Sequence, residues 1–435
     1  MKQIRAYFSG WLLVLLLALS VQAYAEVKNT ENSRLDAYNK LRKVIGTIEN
    51  YYVDELTLNE IVDKAIDGLL TNLDAHSAYL DEKKFEELKI QTNGEFGGIG
   101  ITIALKDGGI TIIAPVEGSP GDKAGLKSGD IILKINDEST LSMSLDDAVN
   151  KMRGKPKTKV QLTIVRKNTP KPLVFDIIRD NIKVESVYAK EIEGTDYAYV
   201  RVTSFDKNVS KRVLEELKKI KNLKGIVLDL RNNPGGLLNQ AVELSDIFLK
   251  EGVIVSQKGR VEDENVVYKA KAKTPYADVP LVVLINNGSA SASEIVAGAL
   301  QDNKRAILVG ETTFGKGSVQ VVLPTEKKEA IRLTIARYYL PSGRTIQAVG
   351  VTPDIEVQPG AVPNEDNLFT LKESDLKKHL EGELEKITKD KPKKEQTDKN
   401  QIIKAQIMND IQLKSAIDVV KTLSLINSKG AKDAN

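Results

Sequence analysis

Two short segments of the chain carry the residues that could do chemistry. Gly288–Glu294 places three serines at the predicted start of a helix, and Phe314–Gln320 places Lys316 between two glycines. A serine hydroxyl becomes a good nucleophile only when a neighbouring base takes its proton. The chain has two histidines, His76 and His379, and no cysteine. Lysine is therefore the favoured base, and the pair predicts a Ser-Lys hydrolase, a class in which peptidases predominate.

Lys316 can act as a base only when its amine is neutral, so its pKa must lie well below the solution value. Desolvation among apolar groups lowers the pKa of an amine because it penalises the charged form. The stretch around Lys316 is uncharged and includes Phe314. Gln320 could orient the amine through its side-chain carbonyl without adding the charge of a carboxylate. Backbone donors for an oxyanion are available at the predicted helix start Ser291–Ala292 and in the glycine turn 232–236.

Both segments also have simpler interpretations. Ser291-x-x-Glu294 is a capping box, in which the serine only begins a helix, and a lysine between glycines is often a solvated loop residue. Gly310–Lys316 nearly matches the phosphate-binding pattern G-x-x-x-x-G-K-[ST]. Gly317 stands where the Mg²⁺-binding hydroxyl is required, so an NTPase is disfavoured.

The elements that must position these residues follow from the composition along the chain. Residues 1–25 are typical of a signal peptide, with a short apolar stretch and a small-x-small cleavage site at Ala23–Ala25. They predict an exported, periplasmic protein, with an uncleaved, membrane-associated segment as the alternative. Residues 26–93 have apolar residues at helical spacing and predict a helical arm, in which His76 is expected to be structural.

Residues 94–180 are predicted to form a small β-rich module. The predicted strands are 99–104, 110–114, 131–135, 160–166 and 173–178. One helix is expected at Leu145–Met152, with Ser144 as its N-cap. The turn that leads into the first strand consists of Gly97, Gly98, Ile99, Gly100 and Ile101. Consecutive N–H groups in such a turn can hold a carboxylate, and an open strand edge beside a helix can accept a peptide. The module is therefore predicted to bind a free C-terminus, with a plain glycine turn as the alternative.

Residues 181–359 have an α/β pattern with runs typical of buried strands at Gly225–Leu230, Leu281–Ile285 and Ala306–Val309. Residues 360–401 are charged and predict a mobile linker. Residues 402–435 predict a C-terminal helix that belongs to the helical arm or packs on the surface. The formal net charge of +3 is close to balanced and gives no reason to expect nucleic acid as a partner.

Several longer segments resemble known families. Ser119–Asn136 resembles the signature of PDZ domains of bacterial proteases. Four further segments resemble, in the same order, the carboxy-terminal processing (tail-specific) proteases of peptidase family S41: Gly225–Leu237, Gly288–Ile295, Gly310–Gln320 and Ala336–Ile346. The resemblance implies an α/β fold with a crotonase/ClpP-like protease core, an inserted β-rich PDZ domain and helical N- and C-terminal arms.

The resemblance also implies roles for single residues. By position, Ser291 resembles the nucleophile, Lys316 the general base and Gln320 the residue that orients the lysine. Gly236 and Ala292 resemble the oxyanion donors. Spacing alone does not choose Ser291 over the two neighbouring serines.

In the module, the resemblance makes residues 97–101 the carboxylate-binding loop and Leu145–Met152 the helix of a peptide groove. Arg153, which follows that helix, is the candidate link between the groove and the protease site. Cleavage near the free, unstructured C-termini of protein substrates is implied, as is a PDZ domain that blocks the site or aligns it.

The resemblance further implies a homodimer through the helical arms and leaves room for an adaptor or activating partner. No metal, nucleotide or other cofactor is expected. An inactive, PDZ-bearing adaptor is the alternative from a different functional class.

Overall fold

A computed structural model describes residues 33–106, 108–271, 275–325, 328–362 and 401–433 of the chain. The predicted signal peptide, 1–25, and most of the predicted linker, 363–400, lie outside these residues. No helix in the described ranges is both long enough and apolar enough to cross a bilayer. The described residues divide into two compact units, one within 1–81 and 321–334 and the other within 82–320 and 335–435.

In its described N-terminal part the first unit contains two helices and a short strand, and its residues 321–334 include parts of two longer strands. Its elements are α1 (33–51), α2 (Leu58–Thr71) and β1 (Ala78–Leu80). Thr57 and Glu60 form a reciprocal capping box that begins α2. Strand β1 pairs antiparallel with residues 330–332. The prediction of helices throughout 26–93 missed this strand because its partner lies far away in the sequence.

The second unit begins with helix α3 (Glu82–Asn93) and strand β2 (Glu95–Gly98) and continues into the β-rich module. The elements of the module are β3 (Ile101–Lys106), β4 (Gly109–Pro115), α4 (Pro120–Lys123), β5 (Ile131–Ile135), β6 (Glu138–Ser139), α5 (Leu145–Met152), β7 (Lys159–Val165) and β8 (Leu173–Ile178). The strand order is β3-β4-β5-β7-β8, with β6 beside β5. The five predicted strands and helix α5 are confirmed, and Ser144 caps α5 by accepting the Asp147 N–H.

A two-stranded ribbon joins the module to the rest of the unit. Strand β9 (Asp180–Lys183) pairs antiparallel with β2, so the chain enters and leaves the module side by side. Neither strand of the ribbon was predicted, because each is only four residues long and is stabilised by its partner.

The core of the second unit is a seven-stranded sheet with the order β19 (Ile355–Glu356), β16 (Ile307–Gly310), β15 (Leu281–Ile285), β12 (Gly225–Asp229), β11 (Tyr197–Val202), β10 (Val187–Ile192) and β20 (Gln401–Ile402). The elements of this region are β10 (Val187–Ile192), β11 (Tyr197–Val202), α6 (Val209–Lys219), β12 (Gly225–Asp229), α7 (Leu238–Phe248), β13 (Val253–Gly259), a 3₁₀ turn (Glu262–Glu264), β14 (Val266–Lys269), β15 (Leu281–Ile285), α8 (Ala292–Asp302), β16 (Ile307–Gly310), β17 (Ser318–Pro324), β18 (Ala330–Tyr339) and β19 (Ile355–Glu356). Strands β12 and β15 are buried along their whole length, as the apolar runs predicted. A smaller sheet pairs β13 with β14 and with residues 336–339 of β18.

The main sheet is covered on both faces. Successive residues of a strand point to opposite faces, and in β12 Ile226 and Leu228 pack with α6, α7 and α8, while Val227 packs with the C-terminal helix. The C-terminal elements are β20 (Gln401–Ile402), α9 (Lys404–Met408) and α10 (Ile411–Asp433). The single helix predicted from Ile402 is therefore a strand followed by two helices. Strand β20 extends the main sheet by pairing parallel with β10.

Candidate active site

Ser291 lies between the end of strand β15 and the start of helix α8. It adopts φ 54° and ψ −110°, a backbone conformation that is unfavourable for any residue with a Cβ atom and that is often found at functional sites. Such strain persists only where neighbouring contacts fix the backbone. The residues around Ser291 supply these contacts.

The two neighbouring serines have structural roles. Ser289 and Ser293 are fully buried, and their hydroxyls donate to Leu230 O and Asn233 O, both at 2.8 Å. Ser291 is partly exposed. Of the three serines, only Ser291 has a side chain that is both open to a substrate and not committed to a backbone carbonyl.

Glu294 is the residue that the sequence reasoning missed. It was interpreted only as the partner in a capping box, but its carboxylate is fully buried and accepts four hydrogen bonds. The donors are Ser291 N–H (2.7 Å), Lys316 N–H (2.9 Å), Gly315 N–H (2.7 Å) and the Thr313 hydroxyl (2.6 Å). The signal that could have identified it is an acidic residue inside an otherwise apolar helix.

One oxygen of this carboxylate joins the two segments that carry the candidate chemistry. Glu294 Oε2 accepts from the backbone N–H of both Ser291 and Lys316. Since both hydrogen bonds are made to the same atom, the two residues lie side by side. The sequence predicted uncharged surroundings for Lys316. This prediction is wrong, because the buried carboxylate of Glu294 accepts a hydrogen bond from the Lys316 backbone. Phe314 is 64% exposed, so its ring does not enclose the lysine.

Gln320 lies on strand β17, and its amide nitrogen donates to Ser318 Oγ at 2.9 Å. Because this bond commits the nitrogen, the carbonyl oxygen of the amide is the atom that can accept from an amine. The use of Gln320 as a neutral acceptor that orients Lys316 stays a prediction.

The turn after strand β12 contacts the Ser291 segment directly. A Cβ atom at Gly235, which has φ +101°, would lie 2.9 Å from Ser291 Cβ and 3.0 Å from Ala292 N, so only glycine allows this approach. Asn233 links this turn to the Ser291 segment by hydrogen bonds, since its backbone carbonyl accepts both Ala290 N–H and the Ser293 hydroxyl.

Two backbone N–H groups are open at this junction. Gly236 is exposed, and its neighbours on both sides, rather than Gly236 itself, make the hydrogen bonds to Phe205. Ala292 is the first residue of α8, a position whose N–H has no partner within a helix. Across the described ranges, neither N–H donates a hydrogen bond. Both are therefore available to a developing oxyanion.

The loop that resembled a phosphate-binding loop already uses its backbone donors. The N–H groups of Gly315 and Lys316 donate to Glu294, and Phe314 N–H donates to Ser289 O. A buried carboxylate thus occupies the place where such a loop would hold a phosphate, which argues against the NTPase. His76 lies in the first unit, where its carbonyl accepts from Arg332, in keeping with the expected structural role.

The β-rich module contains a groove between β3 and α5. A cavity of about 170 Å³ in this groove is lined by Phe96, Gly98, Ile99, Gly100, Ile101, Ile103, Leu145, Val149, Met152 and Arg153. In the described part of the chain, the N–H groups of Ile99 and Gly100 donate no hydrogen bond. Gly97 does not line the cavity. Its carbonyl instead accepts Gly154 N–H at 3.1 Å. The carboxylate-binding role of residues 97–101 stays a prediction.

Arg153 stands at the end of the groove, where the helix α5 stops. Its guanidinium lies 4.8 Å from the centre of the Phe96 ring, a cation–π distance. Arg153 is thus part of the groove wall and not an isolated surface arginine.

Comparisons with known proteins bear on both parts of the second unit. The Peptidase family S41 profile matches residues 196–357, and the PDZ domain profile matches residues 87–165. The chain is 40% identical over 375 residues to the carboxy-terminal-processing protease of Bartonella bacilliformis, covering 85% of this chain and 86% of that protein. It is 36% identical over 324 residues to the carboxy-terminal processing protease CtpA of Bacillus subtilis, covering 74% and 69%.

A solved structure, the photosystem II D1 C-terminal processing protease, is also similar. It is 27% identical, covers 75% of this chain and 88% of its own, and superimposes with a TM-score of 0.45. The predicted combination of an α/β peptidase domain with a PDZ domain is confirmed by the two family profiles and the mixed architecture of the chain.

Proposed function

This chain belongs to peptidase family S41 and is a serine-type peptidase, and we propose that Ser291 and Lys316 carry out its chemistry on protein substrates near their C-termini. The observation that carries this proposal is the shared acceptor Glu294 Oε2, which holds the backbones of both residues. Curated relatives are named for carboxy-terminal processing, and the PDZ groove supplies a means of reading a protein tail.

In the proposed reaction, Lys316 enters with a neutral amine. The amine removes the proton of the Ser291 hydroxyl as Oγ attacks the carbonyl carbon of the scissile peptide bond. The carbonyl oxygen gains negative charge and is stabilised by the N–H groups of Gly236 and Ala292. The ammonium of Lys316 then protonates the leaving amine. Water, activated by the same lysine, hydrolyses the ester on Ser291 and restores the enzyme.

The groove of the PDZ domain is proposed to bind the end of the substrate. The open N–H groups of Ile99 and Gly100 suit a terminal carboxylate. The cavity beside them is lined by aliphatic side chains, among them Leu145 and Val149, and suits an apolar last residue. A tail bound in this way would add a strand to the exposed edge of β3.

Arg153 is proposed to couple the filled groove to the protease site. It lies at the end of the groove over Phe96, one residue before the turn that holds strand β2 through Gly97 and Gly154. Arg153→Ala should reduce the rate on a tail-bearing substrate about tenfold while sparing a short peptide without a tail. Equal rates for wild type and Arg153→Ala on both substrates would remove the arginine from the proposal.

Export is proposed from residues 1–25. A mature N-terminus at Glu26, determined by Edman sequencing of the protein recovered from a periplasmic fraction, would support it. Recovery of the intact N-terminus from the membrane fraction would instead indicate an uncleaved anchor.

The experiment that tests the peptidase is digestion of an unstructured protein such as casein. Ser291→Ala and Lys316→Ala should each abolish cleavage, whereas the exposed control substitutions Ser342→Ala and Lys250→Ala should leave it unchanged. Circular dichroism should confirm that all four variants are folded. Near-normal cleavage by Lys316→Ala would contradict the dyad. If the wild type did not cleave casein even with tail peptides added, the inactive adaptor would be favoured.

A further inference from the structure

The proposed oxyanion donor Gly236 is held on both sides by one residue of the neighbouring chain segment. Phe205 N–H donates to Gly235 O at 2.9 Å, and Leu237 N–H donates to Phe205 O at 2.8 Å. A Cβ atom at Gly236, which has φ +145°, would lie 2.4 Å from Phe205 O. The position of Phe205 therefore sets the direction of the Gly236 N–H.

The residue after Phe205 is a buried aspartate that takes no part in the proposed chemistry. Asp206 is fully buried and accepts the Ser186 hydroxyl at 2.6 Å and Asn208 N–H at 2.8 Å. Arg212 Nη1 lies 3.6 Å from Asp206 Oδ2, the oxygen that accepts the Ser186 hydroxyl. A buried carboxylate with these partners moves only when the groups around it move.

Gly94, the residue before strand β2, packs against this aspartate. A Cβ atom at Gly94, which has φ +67°, would lie 2.6 Å from both Asp206 Cγ and Oδ2. Lys207 N–H donates to Thr92 O at 3.0 Å, and Lys207 Nζ lies 2.8 Å from Glu95 Oε1. The start of strand β2 is thus fixed to Asp206 and Lys207 by packing and by hydrogen bonds.

The other end of strand β2 is the peptide groove. Gly98 and the open N–H groups of Ile99 and Gly100 line the cavity, and the strand is four residues long. A contiguous connection therefore runs from the groove along β2 to Asp206, to Phe205 and to Gly236. Packed, hydrogen-bonded connections of this kind can carry coupling between two sites.

We infer that Asp206 is a positioning residue for the oxyanion donor Gly236, and that it transmits the position of strand β2 to that donor. This inference rests on the proposed function, in which Gly236 N–H stabilises the oxyanion. A tail in the groove would shift β2 and, through Asp206 and Phe205, re-aim the Gly236 N–H.

The test compares two glycine substitutions with the same backbone strain. Gly94→Ala adds a methyl group against Asp206, whereas Gly194→Ala adds one at φ +70° with no atom within 4 Å. Gly94→Ala should lower kcat about tenfold, a fraction of the 10²–10³-fold effect of removing an oxyanion donor. Gly194→Ala should stay within twofold of the wild type.

A peptide aldehyde separates positioning from a loss of folded enzyme. Its hemiacetal with Ser291 carries an oxyanion that needs the same donors as the transition state. Gly94→Ala should weaken its inhibition constant about tenfold, whereas partial unfolding would lower kcat and leave that constant unchanged. If kcat and the inhibition constant of Gly94→Ala were within twofold of those of Gly194→Ala, the inference would be overturned. A wild type that is inactive and indistinguishable from Ser291→Ala would overturn the proposed function instead.

The wild type alone provides a second measurement. Saturating the groove with a tail peptide should change amide hydrogen exchange at Phe205 and Leu237 at least fivefold and leave the amide of Gly194 unchanged. This measurement needs no substitution to fold. Unchanged exchange at Phe205 and Leu237, with the peptide shown to be bound, would refute the coupling.

Discussion

At the residue scale, a single buried carboxylate organises the candidate active site. Glu294 satisfies the backbone N–H groups of Ser291, Gly315 and Lys316, and none of these bonds involves the side chains proposed to react. It therefore acts by fixing the backbone. The strained conformation of Ser291 requires such support, because an unsupported residue would relax to a more populated region.

Glu294→Gln tests this role with a side chain of nearly the same shape. The amide replaces one accepting oxygen by a donor, so either the N–H groups of Ser291 and Lys316 or the Gly315 N–H and the Thr313 hydroxyl lose their acceptor. Each buried donor without an acceptor costs about 1–3 kcal/mol. We expect a lower melting temperature and a fall in kcat of at least about 100-fold, since displacement by about 1 Å has effects of this size.

The matched control is Glu311→Gln, in the loop that follows β16. Glu311 is partly exposed, and within the described ranges its carboxylate has one long contact, of 3.5 Å, with Gln412. This variant should retain melting temperature and activity close to the wild type. If Glu294→Gln behaved like Glu311→Gln in both assays, Glu294 would not be needed to position the two residues.

Local sequence patterns predicted the two candidate reactive segments, but they did not distinguish Ser291 from Ser289 and Ser293. Ser289 and Ser293 are excluded by hydrogen bonds to Leu230 and Asn233, which lie in a different segment. Contacts of this kind come from the packing of parallel strands and leave no local pattern. The same holds for Phe314, which was expected beside the lysine and instead lies in solvent.

At the scale of elements, the C-terminal helix is attached to the strand that leads into the turn 232–236, which contains the proposed oxyanion donor Gly236. Arg231, directly after β12, bonds to Asp229 and, across the helix boundary, to Asp410 and Gln412. Asp229 also accepts the Tyr199 hydroxyl at 2.7 Å. Helix α10 thus supports the residues that lead into the turn 232–236.

Asp410→Asn tests this support. Burial opposes ionisation of Asp410, but hydrogen bonds from Arg231 and from the backbone outweigh it and hold its pKa below the ordinary value. The substitution should cost about 1.5–3 kcal/mol of unfolding free energy, as for hydrogen bonds to charged groups. A carboxyl whose pKa is lower in the folded than in the unfolded protein stabilises the folded state at pH values above its unfolded pKa, about 3.9. This stabilisation is lost as the pH falls through the folded pKa.

Urea unfolding followed by circular dichroism at pH 7 and at pH 3 measures both effects. The difference in unfolding free energy between the wild type and Asp410→Asn should be largest at pH 7 and smaller at pH 3. The control is Asp418→Asn, on helix α10, which begins directly after Asp410. Its exposed ion pair with Lys414 should contribute less than about 1 kcal/mol. A difference for Asp410→Asn that grew on acidification would contradict the assignment.

Most elements were predictable because their local patterns are strong. The buried strands β12 and β15 and the helix α5 have continuous or periodic apolar residues. Of the elements that were not predicted, β1, β2 and β9 are three or four residues long, too short for a period to be visible. The C-terminal helix was predicted as an element, but its place on the main sheet depends on Leu413, Ala416 and Val420 packing against strands far away in the sequence.

At the scale of the whole molecule, helix α1 carries an apolar face that the described chain leaves open. Leu35, Tyr38, Leu41 and Val44 recur at helical spacing and are between 44% and 69% exposed. An amphipathic helix is stable when such a face is covered, and contiguous exposed apolar patches mark interaction sites. We propose that the covering partner is the same arm of a second copy, as the predicted homodimer requires.

The homodimer is tested by placing charge on this face. Leu41→Lys together with Val44→Lys would bring like charges of the two copies together and remove apolar area from the interface. We expect the wild type to sediment as a dimer at micromolar concentration and the double variant as a monomer. Lys40→Glu with Lys43→Glu, at exposed positions outside the apolar set, changes the charge of the helix without removing apolar area and should remain dimeric. A monomeric wild type would rule out this use of the arm, and a dimeric double variant would place the interface on another surface.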